Sequence, residues 1–157
     1  MILGIDPGIT GAFAVLTDRG ELFDYLCMPT KAEGQKRVID VPAVVSWLAD
    51  LEVERAVIER VHARSGQGVS SMFSFGRSYG VAEAILQCRG ISFQRVLPRT
   101  WKAHHSLMLK GKDGSREKAQ ELWDDCIFDL KGKGQAVADA ALLALYVLDK
   151  ENGNGNA

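Results

Sequence analysis

Cysteine is scarce in this 157-residue chain, and the three present, Cys27, Cys88 and Cys126, are far apart and form no CxxC pair. That pattern excludes a disulfide framework and a cysteine-rich zinc cage, and it predicts three reduced thiols packed in the core. No apolar run approaches the roughly 20 residues that a membrane-spanning helix needs, so no membrane partner is expected. The opening MILGIDPG carries neither a basic leader nor a small-residue cleavage site, from which a cytoplasmic location is expected. Internal repeats are absent. So is an excess of one charge, since 19 Lys and Arg stand against 20 Asp and Glu. The length suits one domain of about 100 to 200 residues, not two. We expect that domain over residues 1–150, with the Gly/Asn-rich end 151–157 too polar to bury anything and therefore disordered.

The near-zero net charge hides a segregation along the chain. Between Arg60 and Ala82 lie Arg60, His62, Arg64 and Arg77 with no Asp or Glu, and from Arg95 to Lys118 seven basic residues face only two acids. Such stretches bind phosphates or form solvated faces, and charge alone does not choose between them. The order of elements is more informative. Met1 to Asp6, Ala12 to Leu16 and Glu21 to Met28 read as three short strands joined by tight turns, an antiparallel meander. A polar loop, Thr30 to Arg37, precedes a helix at Val41 to Ala49 and a buried strand at Arg55 to Ile58. Helix and strand then alternate: Ser70 to Cys88, the strand Ser92 to Leu97 ended by Pro98, then helices at Ser115 to Asp124 and Gln135 to Leu148. Trp101 and Lys102 follow Pro98 in what reads as an anchored loop, with Trp101 buried. A meander followed by crossovers predicts an α/β domain with a mixed central sheet flanked by helices.

Three acids sit oddly in this scheme. Asp6 ends the first strand two residues before Gly8, Glu59 leaves the apolar run Ala56, Val57 and Ile58, and Asp139 interrupts AVADAALLALYVL. Each has an ordinary explanation: a turn former, a rim ion pair with Arg55 or Arg60, and a helix-dipole acid in a first turn. Together, at element ends that one sheet can gather, they suit an oxygen-ligand site for Mg²⁺ or Mn²⁺. Two such cations about 4 Å apart support phosphodiester hydrolysis.

The segments GIDPGITGAFAVL, AVIERVHA, GVSSMFSFGRSYGVAEAIL, PRTWK and VADAALLALYVL, in this order, resemble the RuvC family of Holliday-junction resolvases, closest to a phage-type branch. The resemblance implies an RNase H-like fold, a homodimer, a bacterial or phage-infected cytoplasm, and metal-dependent, structure-selective cleavage of four-way and related branched DNA. It matches the family's catalytic, metal-binding acids to Asp6, Glu59 and Asp139. Its phosphate-facing basic residues fall on Lys102 and Lys118, beside the Arg60, Arg64 and Arg77 patch. His62 stands about where the family carries a residue that wedges the junction core. Where the family has a fourth metal-side Asp or His, this chain has Ala136, with Gln135 next to it. Gln135 shares a helix face with Asp139 and can offer a carbonyl to a metal-bound water, but it brings no charge and is no base. The repeat of Met72, Phe75, Tyr79, Ala82 and Leu86 makes an apolar seam, and Gly76 allows close helix approach. The resemblance turns Met72, Phe75, Gly76 and Tyr79 into a dimer interface. Three other readings compete: a junction-binding protein with little or no turnover, an RNase H-like nuclease acting on RNA, and an actin-like ATPase. The last needs a second lobe for which 157 residues leave no room.

Overall fold

Strand formation begins with alternation. In β1 (Ile2–Asp6) every residue before Asp6 is buried, with Ile2 turned to one face and Leu3 and Ile5 to the other. A strand buried on both faces belongs in the middle of a sheet. The computed structural model, which describes residues 1–61, 66 and 68–154, places it there. β1 pairs antiparallel with β2 (Ala12–Leu16), which pairs antiparallel with β3 (Leu22–Cys27). On its other side β1 pairs parallel with β6 (Arg55–Glu59), and β6 pairs parallel with β7 (Ser92–Val96). The sheet order is therefore β3-β2-β1-β6-β7. Between β3 and β6 run a hairpin, β4 (Thr30–Glu33) with β5 (Lys36–Ile39), and helix α1 (Val41–Ala49). Helix α2 (Val69–Cys88) joins β6 to β7, and α3 (Pro98–His104), α4 (Gly114–Trp123), a 3₁₀ turn (Cys126–Asp129) and α5 (Lys133–Asn154) follow.

Helices cover both faces. Val44 and Leu48 of α1 and Ala82, Ile85 and Leu86 of α2 pack on Leu3, Ile5, Phe13, Ala56 and Ile58. On the opposite face Leu142, Leu143, Val147 and Leu148 of α5, with Trp101 of α3, pack on Ile2, Leu16, Val57 and Val96. Each buried Val, Leu, Ile or Phe side chain among these contributes about 1.5–3 kcal/mol. α5 can lie on β1 because residue 4 is glycine. A Cβ there would stand 1.9 Å from the Ala140 carbonyl oxygen.

The expected mixed α/β architecture is present, and four local expectations need correction. The polar loop at Thr30 to Arg37 is the β4–β5 hairpin, whose turn is made possible by Gly34 at φ +60°. The stretch after Pro98 is a helix, not a loop, with proline in its first turn, where no N–H is missed. α5 continues through Glu151 to Asn154, residues expected in a disordered tail. Cys88 and Cys126 are exposed and Cys27 is half-buried, so the thiols are free but not core residues. Among the described residues no helix is long and apolar enough to cross a membrane.

Candidate active site

The parallel register decides where the first two acids meet. Ile5 pairs with Ile58, so Asp6 and Glu59 come next on neighbouring strands, at the usual spacing of about 4.8 Å. Two-residue alternation puts Asp6 on the face of Ile2 and Glu59 on the face of Val57, which is the face covered by α5. Asp139 precedes Ala140, the residue of α5 seated on Gly4. Three acids distant in sequence thus converge where β1 and β6 end beside the early turns of α5, and the charges of both Glu59 and Asp139 bear on Asp6.

Burial first, then repulsion by Glu59 and Asp139, raises the Asp6 pKa to about 7, against the opposing pull of the Gly8 N–H and Lys102. Asp139 is also raised, chiefly by burial, although the Ser115 hydroxyl, Lys102 and Gln135 all stabilise its charge. Glu59 Oε1 accepts a 3.0 Å hydrogen bond from Nε1 of Trp101, a wholly buried side chain. Gln135 Nε2 donates to Asp139 Oδ1 at 3.1 Å, while Gln135 Oε1 is buried without a hydrogen-bond partner. Among the described residues Lys102 is the cation beside Asp6 and Asp139, and the clustered carboxylates with the unpaired Gln135 amide oxygen form an all-oxygen donor set. This is the chemistry that hard divalent cations satisfy.

Asp6, Gln135, Ala136 and Asp139 line a cleft of about 840 Å³ whose rim carries the exposed Lys112, Lys131 and Lys133. None of these three lysines, nor Ser115, was singled out in the sequence. The positive run from Arg95 to Lys118 contained one of them, but Lys131 lies in the polar turn before the Asp139 helix and Lys133 begins that helix, and their only signal is that position.

The other site residues divide. Lys102 faces Asp6 and Asp139, with its ammonium 5.1 Å above the Trp101 ring. Lys118 instead lies 3.2 Å from Glu121 and lines a separate cleft with His104 and His105. In that cleft burial lowers the pKa of His105. Arg60 is exposed just beyond β6. Arg77 forms a two-pronged ion pair with Glu33 of the hairpin. His62 and Arg64 lie outside the described residues. The helical seam splits: Ala82 and Leu86 enter the core, whereas Met72, Phe75 and Tyr79 are half-buried and Gly76 is exposed. The Phe75 ring reaches to 3.9 Å from the point where a Cβ on Gly8 would stand, close to the turn after Asp6.

No protein-family model and no curated protein sequence matches this chain. Solved structures do. RuvC of Thermus thermophilus in complex with a Holliday junction substrate aligns with a TM-score of 0.69 at 17% identity, covering 97% of this chain and 95% of that one. A second structure of Thermus thermophilus RuvC gives 0.65 at 18%, covering 97% and 96%. The yeast mitochondrial Holliday junction resolvase Ydc2 gives 0.62 at 14%, covering 98% and 82%. At such identities the likeness is one of fold. The chain has the RNase H-like fold in the form seen in RuvC-type Holliday junction resolvases.

Proposed function

We propose that this protein is a divalent-metal-dependent, structure-selective endonuclease that resolves four-way DNA junctions and related branches. The observation that carries the reading is the convergence of Asp6, Glu59 and Asp139, with the Asp6 pKa raised to about 7 by burial and by its two acidic neighbours. The likeness to a RuvC solved on a Holliday junction supports DNA branches as the substrate.

Asp6, Glu59 and Asp139 would hold the cations, Mg²⁺ or Mn²⁺ and two to a site, with the Gln135 carbonyl turned to metal-bound water. When bound, these ions supply a nucleophilic water and neutralise the departing 3′-oxygen, leaving 5′-phosphate ends. The protein groups supply position. Trp101 fixes one oxygen of Glu59, and Ser115 and Gln135 fix Asp139. Lys102, with Lys112, Lys131 and Lys133 at the rim, offers ammonium groups to the scissile strand's phosphates, and Arg60 beyond Glu59 offers its guanidinium. His62 and Arg64, next along the sequence, are also DNA-binding residues in this reading, and Arg77 joins them on release from Glu33. Lys118, one cleft away, would meet an outer arm of the branch.

The N-terminal half of α2 supplies a homodimer interface. Met72, Phe75 and Tyr79 are half-buried there, Val69 and Phe73 are 85% and 72% exposed, and among the described residues no atom beyond the adjoining helix backbone lies within 4 Å of where a Cβ on Gly76 or Gly80 would stand. A two-fold dimer presents two sites to a two-fold symmetric junction, which accounts for paired incision.

The test is nicking of an end-labelled four-way junction in Mg²⁺ or Mn²⁺, compared with flap and linear duplex DNA. The parent is expected to nick the junction preferentially, and Asp6→Asn to bind it without cutting. Junction binding without any nicking by the parent would favour the second reading, a junction-binding protein with little turnover. That reading draws on the neutral Gln135 where a further acid would strengthen metal binding. Cleavage confined to RNA strands would reject a DNA resolvase.

A further inference from the structure

A second concentration of ligating atoms lies in the other cleft. α3 ends at His104, His105 caps it, and a late turn of α5 brings Asp149 alongside. One ligand atom from each of the three lies within 4.8 Å of the others. Their cleft, about 930 Å³, also carries Glu21 and Asp125, with Arg19 and Lys118 opposing them. Of the two opposing cations, Lys118 is already paired to Glu121 at 3.2 Å.

The histidines are held in a manner that suits ligation. His105 Nε2 lies 2.7 Å from the Leu142 carbonyl oxygen. A carbonyl only accepts, so Nε2 carries the hydrogen and Nδ1 keeps its lone pair. An imidazole N–H given to a backbone carbonyl is the usual way in which a metal-binding histidine is oriented. His104 Nε2 lies 2.7 Å from Asp149 Oδ2, with its ring edge-on to His105 at 4.8 Å and to Tyr146 at 5.3 Å between centroids. Two imidazoles and one carboxylate suit Zn²⁺, Co²⁺ or Ni²⁺ and not Mg²⁺. Bonds of about 2.1 Å to a tetrahedral ion set its ligand atoms about 3.4 Å apart. The group therefore reaches binding geometry by rotamer adjustments of about 1 Å, which the exposed His104 and Asp149 can make.

We propose that His104, His105 and Asp149 form a site for one divalent transition-metal ion of the zinc class, with its fourth position open to the cleft. The ion ties the end of α3 to α5. Trp101 and Lys102 of α3 bear on Glu59, Asp6 and Asp139, and Asp139 is itself on α5, so the tie braces both helices against the carboxylate cleft. The site stands whether or not the protein is a nuclease, because its ligands are separate from the three acids.

Titration of the full-length protein with Zn²⁺ against a chromogenic chelator tests it, with Co²⁺ as an absorbing probe. One equivalent is expected to bind. His104→Gln and Asp149→Asn, both at exposed positions, are expected to weaken binding at least tenfold and to abolish the intense visible bands of four-coordinate Co²⁺. Asp6→Asn is expected to change neither. Circular dichroism of the metal-free variants verifies that they are folded. The proposal is overturned if His104→Gln and Asp149→Asn bind like the parent, or if only Asp6→Asn or Asp139→Asn loses the ion. It is equally overturned if the parent takes up no more Zn²⁺ than the double variant, which would leave His104 and Asp149 as an ion-pair latch between the helices.

Discussion

Asp6 illustrates how one residue couples site and stability. Its pKa rises from an ordinary 3.8 to about 7 on folding, so between those values the unfolded chain gives up this proton before the native one does. The contribution of Asp6 to stability then falls as pH rises from about 4 to 7 and levels off above. Three pK units correspond to about 4 kcal/mol. Asp6→Asn removes the carboxylate, so urea melts of the metal-free proteins should show the variant gaining on the parent from pH 5 to pH 7.5. An equal difference at both values would contradict this. Bound cations must displace the same proton, so the Mg²⁺ concentration for half-maximal nicking should rise as pH drops below about 7. Trp101 acts on the site through Glu59. Trp101→Phe keeps most of the ring but removes the N–H, and a 10–100-fold increase in the Mg²⁺ required is expected, as for other groups that orient metal ligands. Gln135→Asp should lower that requirement; an unchanged Mg²⁺ dependence would count against Gln135 as a metal-side group.

At the scale of elements, the site depends on how closely α5 approaches β1. Gly4→Ala places a methyl carbon against the Ala140 carbonyl, and helix and strand must separate. A loss of at least ~1–3 kcal/mol is expected. Nicking should fall even where the variant stays folded, because Asp139 moves with Ala140. Denaturant melts together with nicking at saturating Mg²⁺ check both parts. The same elements show where sequence patterns carry information. Turn punctuation delimited β1 and β2, short apolar runs buried on both faces, and helical spacing gave α1 its observed limits, because there the buried face is written as a period. The β4–β5 hairpin escaped notice because most of its residues are exposed and polar, leaving Gly34 as its one signal. The helix after Pro98 was read as a loop because seven residues are too few to display a helical period.

For the molecule as a whole, charge and symmetry are at issue. Several of the basic residues that stood out in the sequence are neutralised within the fold: Arg95 by Glu83, Arg116 by Asp113, Arg77 by Glu33. In the proposed reading the surface left for DNA is narrower than the count of basic residues suggested, with Lys112, Lys131 and Lys133 at the carboxylate cleft. The slope of log affinity against log salt for junction binding should therefore correspond to a handful of phosphate contacts, at about −0.9 for each. Substituting Lys112, Lys131 and Lys133 together by Gln should reduce that slope; no change would remove these lysines from the DNA surface. Gly76→Arg sets a long charged side chain on the exposed face of α2. It should convert a dimer to monomers in sedimentation velocity with no change in far-UV circular dichroism, and a sedimentation profile identical to the parent's would exclude this face as the interface.

By itself the amino-acid order determined the layers: the five strands of the central sheet, the four longer helices, and two acids at strand ends with a third in the early turns of the last helix. These are local properties, set by periods of two and 3.6 residues and by turn chemistry. Only the tertiary structure decided that Trp101 holds Glu59, that Ser115 holds Asp139, and that Lys118 belongs to another cleft than Lys102. Those pairings span tens of residues and follow from register and helix packing, for which no local pattern exists. Gly4 lies between the two cases. In sequence it is one glycine in a strand, and it becomes the contact that sets Asp139 over Asp6 only once α5 crosses it.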